Sequence, residues 1–329
     1  MSNEPNPQLK EQQSIEQQIS VPANLSGKRL DQVASLLFPQ FSRSRLQKWI
    51  EQGQLLLDGR QVKRRERVHE GMLLELNAQL EAEGDWQAQP VEFETLYRDE
   101  SILVVNKPAG LVVHPAAGNP DGTLLNGLLY QHEKLREIPR AGIVHRLDKD
   151  TSGLMVVACS LQAQASLVSQ LQERSVKRQY QAICQGGPRV PGTIDQPIGR
   201  HAGNRLKMAV RRDGKSAITH YTPLQQLAGY CHLQVQLDTG RTHQIRVHMA
   251  HQGWPLLGDP LYGKRPHFPP GTSAELRQAI ESFKRQALHA EQLALDHPAS
   301  GERMQWQVPL PLDMQAMLDL LRTETLREG

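Results

Sequence analysis

Hydrophobic positions recur at helical spacing in two short segments near the beginning of the chain. A first helix is predicted over residues 29–38, because its apolar residues fall on one face and a proline follows it. A second helix is predicted over residues 42–52, and it ends at Gly53. Apolar runs predict strands at 55–57 and 72–76, the first of them followed by an Asp-Gly turn. This part of the sequence therefore describes a small unit of two helices and short strands.

From residue 91 onward, short apolar runs alternate with turn signals. These runs predict strands at 102–105, 111–113, 154–158, 179–184, 217–221 and 231–237. Helical spacing predicts helices at 123–132, 160–174, 242–252, 274–286 and from residue 313 onward. Because strands and helices follow one another here without a regular strand–helix–strand alternation, we expect an α+β fold instead of a doubly wound parallel sheet.

The formal charge of +3 is distributed unevenly along the 329 residues. Residues 1–20 carry a net charge of −2, residues 21–76 carry +4, residues 77–100 carry −6 and residues 101–329 carry +7. An acidic stretch without apolar periodicity between two basic bodies is typical of a linker. We therefore predict a disordered polar tail at 1–20, a small domain at 21–77, an acidic linker at 78–89 and a large domain at 90–329.

Composition excludes several classes of protein. No run approaches the roughly 18 apolar residues of a membrane helix, and the polar N-terminal residues do not form a secretory signal. The cysteines Cys159, Cys184 and Cys231 share no close spacing, which argues against a zinc knuckle, an iron–sulfur site or a disulfide framework. We therefore expect a cytoplasmic protein.

Cations are concentrated in the small domain. They lie in the second predicted helix and in the loop that follows the Asp-Gly turn, at Arg43, Arg45, Lys48, Lys63, Arg64, Arg65 and Arg67. Such a set suits contact with a phosphate backbone, although a merely solvated face has the same composition. The segments Gly-Lys-Arg-Leu-Asp at 27–31, Ser-Arg-Ser-Arg at 42–45 and Leu-Asp-Gly at 57–59 resemble the S4 RNA-binding module, and this resemblance favours RNA.

The densest polar cluster is His-Arg-Leu-Asp-Lys-Asp-Thr-Ser-Gly at 145–153. It lacks the glycine-rich Gly-Lys-Ser/Thr ending of a phosphate-binding loop. It begins like a calcium loop, but Cys159 stands where that loop needs a bidentate glutamate. Two interpretations remain open from the residues alone, namely a structural turn whose polar side chains bond local amides and catalysis by one of the aspartates.

A second cluster, Thr-Gly-Arg-Thr-His-Gln-Ile-Arg-Val-His-Met-Ala-His, occupies residues 239–251. Its histidines suggest a metal, but the stretch lacks the glutamate of a zinc protease motif and the elements of zinc deaminases. Alternatively, Arg241 at the turn before the helix pairs with a buried carboxylate and keeps it ionised. Tyr180, which follows two cations at a strand start, is either a core residue or a stacking surface for a base.

Taken together, the large domain resembles the RluA-type family of pseudouridine synthases. The resemblance rests on ordered motifs at 106–115, 145–153, 180, 239–251, 257–263 and 286–290. It implies a catalytic domain built on a mixed, mainly antiparallel sheet. It also implies an isomerase that detaches uracil from C1′ of the ribose and reattaches it through C5.

The family resemblance assigns a role to each site residue. Asp148 matches the catalytic aspartate, Tyr180 the tyrosine that stacks on the target base, and Arg241 the arginine that pairs with the aspartate. Arg146 matches a residue that replaces the flipped base in the RNA, while Ile245 and Leu288 match apolar walls of the pocket. Relatives commonly carry a cation where this chain has Cys159.

The resemblance also implies a substrate and a setting. With the S4-like module in front, the chain most resembles a member that acts on 23S ribosomal RNA, in the loop of helix 69. The expected partner is this RNA or a ribosomal precursor particle. No metal and no small-molecule cofactor is implied, and a monomer that makes no contact with membranes is expected. A non-catalytic RNA-binding factor of ribosome assembly is the alternative that the basic module leaves open.

Overall fold

The computed structural model describes residues 14–39, 41, 43–79, 86–116, 118–266, 268 and 271–328. The chain divides into two compact units, Met1–Asp85 with Lys134–Gly142 and Trp86–Glu133 with Ile143–Gly329. Residues 1–13 of the predicted tail and 80–85 of the predicted linker lie outside the described residues. None of the helices described is long and apolar enough to cross a membrane.

The smaller unit combines a three-stranded antiparallel sheet with two helices. Its strands are β1 (Ser14–Ser20), β2 (Leu55–Leu57) and β3 (Leu73–Gln79) in the order β1-β3-β2, and its helices are α1 (Leu30–Leu37) and α2 (Arg43–Gln52). The apolar stripes of both helices are buried, as the sequence predicts. After β2, Asp58 and Gly59 both adopt positive φ, at 47° and 70°, as the tight turn requires.

Strand β1 corrects the sequence prediction. Residues 1–20 were expected to form a disordered tail, but Ser14–Ser20 pairs antiparallel with the whole of β3. Pairing at a sheet edge uses backbone N–H and C=O groups and depends little on the side chains. A polar, Gln-rich segment can therefore form an edge strand without an apolar pattern in its sequence.

Among the described residues, the larger unit contains eleven strands and five α-helices. Its strands are β4 (Glu94–Arg98), β5 (Ile102–Lys107), β6 (Ser152–Ala158), β7 (Lys177–Gln185), β8 (Gly192–Asp195), β9 (Ile198–Arg200), β10 (Met208–Val210), β11 (Ile218–Leu227), β12 (Tyr230–Leu237), β13 (Leu288–Asp296) and β14 (Arg303–Gln307). Its helices are α3 (Leu124–Gln131), α4 (Leu161–Glu173), α5 (Gln244–His251), α6 (Ala274–Ser282) and α7 (Leu312–Glu328).

Nine of these strands form one sheet, in the order β4-β5-β6-β13-β7-β12-β11-β8 with β14 beside β13. All neighbours pair antiparallel except β6 and β13, which are parallel. This confirms the expected α+β class with a mixed, mainly antiparallel sheet. The polar cluster at 145–153 leads directly into β6, so the parallel pair fixes the end of that cluster.

Two apolar clusters hold the helices on the sheet. Helix α4 packs Ala163 and Leu167 against buried side chains of β5, β6 and β13. Helices α6 and α7 pack together and against β7, β11 and β12. The predicted strand at 111–113 is absent; Val112 and Val113 instead accept hydrogen bonds through their carbonyl groups from the first turn of α3.

Candidate active site

A buried lysine donates a hydrogen bond to the loop that carries Asp148. Lys107, at the end of β5, is fully buried, and its Nζ donates to the carbonyl oxygens of Pro108, Leu111 and Lys149 at 2.8, 2.8 and 2.9 Å. Burial lowers the pKa of Lys107 to about 7, although the charges of Asp150 and Asp148 act to raise it. One ammonium group therefore joins the 107–111 segment to the loop of Asp148.

The chain beyond Asp148 is fixed by its entry into β6. Gly153 has φ of +112°, and a Cβ there would lie 2.2 Å from the carbonyl oxygen of Ala290, so only glycine allows this close parallel pairing. Ser152 Oγ is 2.9 Å from Nδ1 of His289, and Gln286 Nε2 donates to Thr151 Oγ1 at 3.0 Å. The glycine and these bonds together set the position of the loop relative to β13.

Asp148 receives its ion pair from Arg246 on helix α5. Arg246 Nη1 donates to Asp148 Oδ2 at 3.0 Å, while its Nε and Nη2 donate to the two oxygens of Asp259 at 2.7 and 2.9 Å. The guanidinium is 6% exposed, and the Asp148 side chain is 16% exposed. Burial acts to lower the pKa of Arg246, but hydrogen bonds and charge from both aspartates raise it above its ordinary value.

Asp259 is the second aspartate that pairs with Arg246. Its side chain is fully buried, and its Oδ1 also accepts the backbone N–H groups of Leu261 and Tyr262. Burial acts to raise the pKa of Asp259, but Arg246 and the two N–H groups hold it below its ordinary value. Asp259 therefore fixes one side of the guanidinium and leaves the other side for Asp148.

The prediction that Arg241 pairs with the catalytic aspartate is wrong. Arg241 is exposed, and its Nε donates to the carbonyl oxygen of Ser216 at 3.0 Å. Arg246 holds the predicted place because α5 buries residues 244–249, whereas Arg241 lies in the turn before the helix. The signal in the sequence that could have identified Arg246 is an arginine between the apolar residues Ile245 and Val247, together with an aspartate in the 257–263 motif.

Three of the predicted site residues are buried. Tyr180, on β7, and the side chains of Ile245 and Leu288 are 5%, 3% and 4% exposed. Burial raises the pKa of Tyr180, and the charge of Asp148 acts in the same direction while Arg178 opposes it. Tyr180 lies opposite Ala290 in the sheet, beside the β6–β13 junction that positions Asp148.

His243 and Tyr262 complete the polar side of the site, and sequence reasoning did not single them out as site residues. His243 precedes α5, with its Nε2 3.9 Å from Asp148 Oδ1 and its Nδ1 2.8 Å from the Tyr262 hydroxyl. The Arg246 guanidinium lies over the Tyr262 ring, 5.1 Å from its centroid. Arg146 is exposed, and its charge acts on the pKa of His243.

His248 has both ring nitrogens occupied by the scaffold. Its Nδ1 is 2.8 Å from Thr219 Oγ1 and its Nε2 is 2.9 Å from the carbonyl oxygen of Gln196. Within the part of the chain that the structure describes, no three His, Cys, Asp or Glu side chains are grouped to hold a metal ion. His248 is therefore a framework residue.

Cys159, directly after β6, makes a hydrogen bond through its backbone. Its N–H donates to the carbonyl oxygen of Ser101 at 2.8 Å. Burial, together with the charge of Asp99, raises the pKa of the thiol to about 11. The side chain is therefore an un-ionised thiol at neutral pH.

The predicted RNA contacts of the smaller unit divide into two groups. Arg43, Lys48, Lys63, Arg64 and Arg65 are exposed. Arg45 is buried, with its guanidinium 5.7 Å from the Trp49 ring centroid, and so it differs from the expected surface cation. The reason is helical spacing, because Arg45 and Trp49 lie four residues apart on the same face of α2.

Comparison with known proteins agrees with these features. A family model described as "RNA pseudouridylate synthase" matches residues 101–251, and one described as "S4 domain" matches residues 28–74. A protein of Pseudomonas aeruginosa named ribosomal large subunit pseudouridine synthase D is 56% identical over 94% of this chain and 97% of its own. A protein of the same name from Xanthomonas campestris is 50% identical over 94% of both chains.

A solved structure shares the fold. The human RNA pseudouridylate synthase domain containing 4 superposes with a TM-score of 0.53 at 28% identity, over 69% of this chain and 92% of that one.

Proposed function

The chain belongs to the RNA pseudouridylate synthase family, and from this premise we propose that it isomerises uridines of large-subunit ribosomal RNA in the loop of helix 69. The observation that carries the proposal is the geometry around Asp148. This carboxylate is held by Arg246 on one oxygen and is partly exposed, and the predicted pocket residues Tyr180, Ile245 and Leu288 are buried.

The chemistry requires a carboxylate that is ionised and fixed. In the reaction the C1′–N1 bond breaks, the base turns, the C1′–C5 bond forms, and the proton on C5 is lost while N1 gains one. Asp148 serves either as the nucleophile on the sugar or base, or as the base that removes a ribose proton to give a glycal intermediate. Arg246 supports both routes because it stabilises the negative charge before the reaction and again when the carboxylate is released.

Tyr180 is proposed to stack on the uracil ring and to complete removal of the C5 proton. Its position on β7, buried beside the β6–β13 junction, suits a flat surface for a base. Ile245 and Leu288 would exclude water around the turning base.

A base inside an RNA stack must be flipped before it reaches such a pocket. Flipping costs a few kcal/mol, and it costs least for a base in a loop. Arg146, exposed and close enough to affect His243, is proposed to fill the place that the flipped uridine leaves. These features favour a hairpin loop as substrate.

The smaller unit is proposed to hold the RNA backbone. Its exposed cations Arg43, Lys48, Lys63, Arg64 and Arg65 would contact phosphates without reading sequence. The relatives with this architecture are named for the large ribosomal subunit. We propose that the enzyme acts as a cytoplasmic monomer on this RNA or on its precursor particle.

The test is release of tritium from 23S rRNA labelled at C5 of uridine. We expect release with wild-type enzyme, and we expect it to disappear when the helix 69 loop uridines are replaced by cytidine. Release from the altered RNA would place the target elsewhere in the rRNA. Tight binding without any release would contradict catalysis and would favour the non-catalytic assembly factor.

A further inference from the structure

His243 lies beside the oxygen of Asp148 that Arg246 does not occupy. Its Nε2 is 3.9 Å from Oδ1, whereas Arg246 donates to Oδ2. A separation of 3.9 Å is too long for a hydrogen bond, but contacts of this kind often shorten once substrate is bound. A small movement of either side chain would therefore give the carboxylate a second donor.

The opposite side of the imidazole ring is fixed by Tyr262. Nδ1 of His243 is 2.8 Å from the Tyr262 hydroxyl oxygen, and the two rings meet edge to face at 5.6 Å. The backbone N–H of Met208 donates to the same hydroxyl oxygen at 2.7 Å. With Met208 donating to that oxygen, the hydroxyl hydrogen is free to point at Nδ1, and we assign the ring hydrogen of neutral His243 to Nε2 on this basis.

The surroundings of His243 keep the ring neutral. Burial is the largest influence and lowers the pKa of His243; Arg246 and Arg146 act in the same direction, while Asp148 and Asp259 raise it. Lys207, whose Nζ lies 5.9 Å from the Tyr262 ring centroid, adds another positive charge near this group. A neutral donor can orient Asp148 without removing its negative charge.

The backbone of His243 supports a functional interpretation. Its φ of 58° lies in the left-handed region, which only a few per cent of non-glycine residues adopt, with Asn, Asp and His the most frequent among them. Such conformations persist where the surrounding structure imposes them, and they concentrate at functional sites. Here the conformation places the ring between Tyr262 and Asp148.

We propose that His243 is a positioning residue for Asp148, which it orients by donating its Nε2–H to Oδ1 during the reaction while Tyr262 fixes the ring. This inference rests on the proposed function, and it adds a second donor to the carboxylate beside Arg246. Asp148 is then held from both oxygens at the moment when it acts on the flipped uridine.

The test uses two substitutions that separate the ring nitrogens. His243→Asn keeps a polar atom near Nδ1, lacks a donor at the position of Nε2, and suits the left-handed backbone. His243→Gln places an amide N–H near the position of Nε2. We expect Asn to lower the single-turnover rate constant on helix 69 RNA by roughly 10- to 100-fold, the value of one hydrogen bond to a charged group. We expect Gln to recover part of that loss, with RNA affinity unchanged in both variants.

Tyr262→Phe gives an independent measurement in the same assay. If Tyr262 acts through His243, this substitution lowers the rate constant in the wild-type background and has little further effect in the His243→Asn background. Additive losses would contradict the proposal, as would an Asn variant that keeps the wild-type rate constant or loses only RNA affinity. A wild-type enzyme without isomerase activity would instead overturn the proposed function itself.

Discussion

Two aspartates, one in each unit, both pair with arginine. They differ in how many hydrogen bonds the carboxylate accepts and in how exposed it is. Asp31 in the smaller unit is fully buried and accepts hydrogen bonds from Arg29, Arg43 and Gln47. Asp148 in the larger unit is 16% exposed, and among the described side chains only Arg246 donates to it. The Asp31 carboxylate has three side-chain donors, whereas Oδ1 of Asp148 accepts no hydrogen bond from the described side chains.

The two aspartates therefore have different relations to their neighbours. The carboxylate of Asp31 orders the guanidinium groups of Arg29 and Arg43, which are 40% and 54% exposed. The carboxylate of Asp148 is instead ordered by others, namely Arg246, the Lys107 anchor and the β6 junction. An aspartate that orders its neighbours and an aspartate proposed to react therefore both pair with arginine, and they differ in how exposed the carboxylate is.

The largest effect is expected from Asp148→Asn. If Asp148 is the catalytic carboxylate that we propose, its removal should lower the rate constant for pseudouridine formation by roughly 10⁴-fold, as loss of a catalytic residue commonly does. The melting temperature should change little, because Asp259 still pairs with Arg246. Single-turnover tritium release and thermal denaturation measure the two quantities.

The neighbouring Asp150→Asn provides the matched control in the same loop. Its backbone carbonyl accepts a bond from Arg285, and that bond survives the substitution. We expect Asp150→Asn to retain most of the activity. Equal losses in both variants would assign the effect to the loop and not to the Asp148 carboxylate.

A second comparison separates Arg246 from Arg241. Arg246→Met leaves the buried Asp259 without its partner, so the free energy of unfolding should fall by about 3–5 kcal/mol and activity should be lost with it. Arg241→Met changes an exposed side chain and should alter stability by no more than about 0.5 kcal/mol. Urea denaturation of both variants decides which arginine supports the site, and the opposite ranking would contradict the geometry.

Sequence patterns predicted the positions of the helices more accurately than the contacts between distant residues. Helical periodicity located α1, α2 and α4 within a few residues, since an apolar stripe is a local property of the sequence. Strand β1 was missed because the pairing that stabilises it comes from β3, more than 50 residues away. The exchange of Arg241 for Arg246 has a similar origin, because only the burial of α5 against the sheet determines which arginine faces Asp148.

A third prediction concerns Asp31→Asn, which should cost about 1–3 kcal/mol of stability while leaving the isomerisation step unchanged. Burial acts to raise the pKa of Asp31, but hydrogen bonds from Arg43, Arg29 and Gln47 hold it below its ordinary value. Its ion pairs therefore stabilise the fold above the ordinary aspartate pKa of about 4 and lose that contribution as pH falls through the lowered value. Denaturation between pH 2 and 7 should show a weaker acid dependence in the variant; identical profiles would contradict this role.

A smaller effect than that of Asp31→Asn is expected from Lys107→Met, at about 1 kcal/mol at pH 7. Because the pKa of Lys107 is lowered to about 7, the folded protein binds fewer protons than the unfolded chain between pH 7 and the ordinary lysine pKa near 10. Wild-type stability should therefore rise with pH across this window, and the variant should lack that rise. Parallel slopes for the two proteins would show that Lys107 is charged as in solvent.

The most direct test of the central claim is a pseudouridine map of large-subunit rRNA from cells that lack this protein and are complemented with wild type or with Asp148→Asn. We predict that the wild-type protein restores pseudouridine in the helix 69 loop and that the Asp148→Asn protein, present at equal level, restores none. Restoration by the variant, or a map that is the same with and without the wild-type protein, would contradict it.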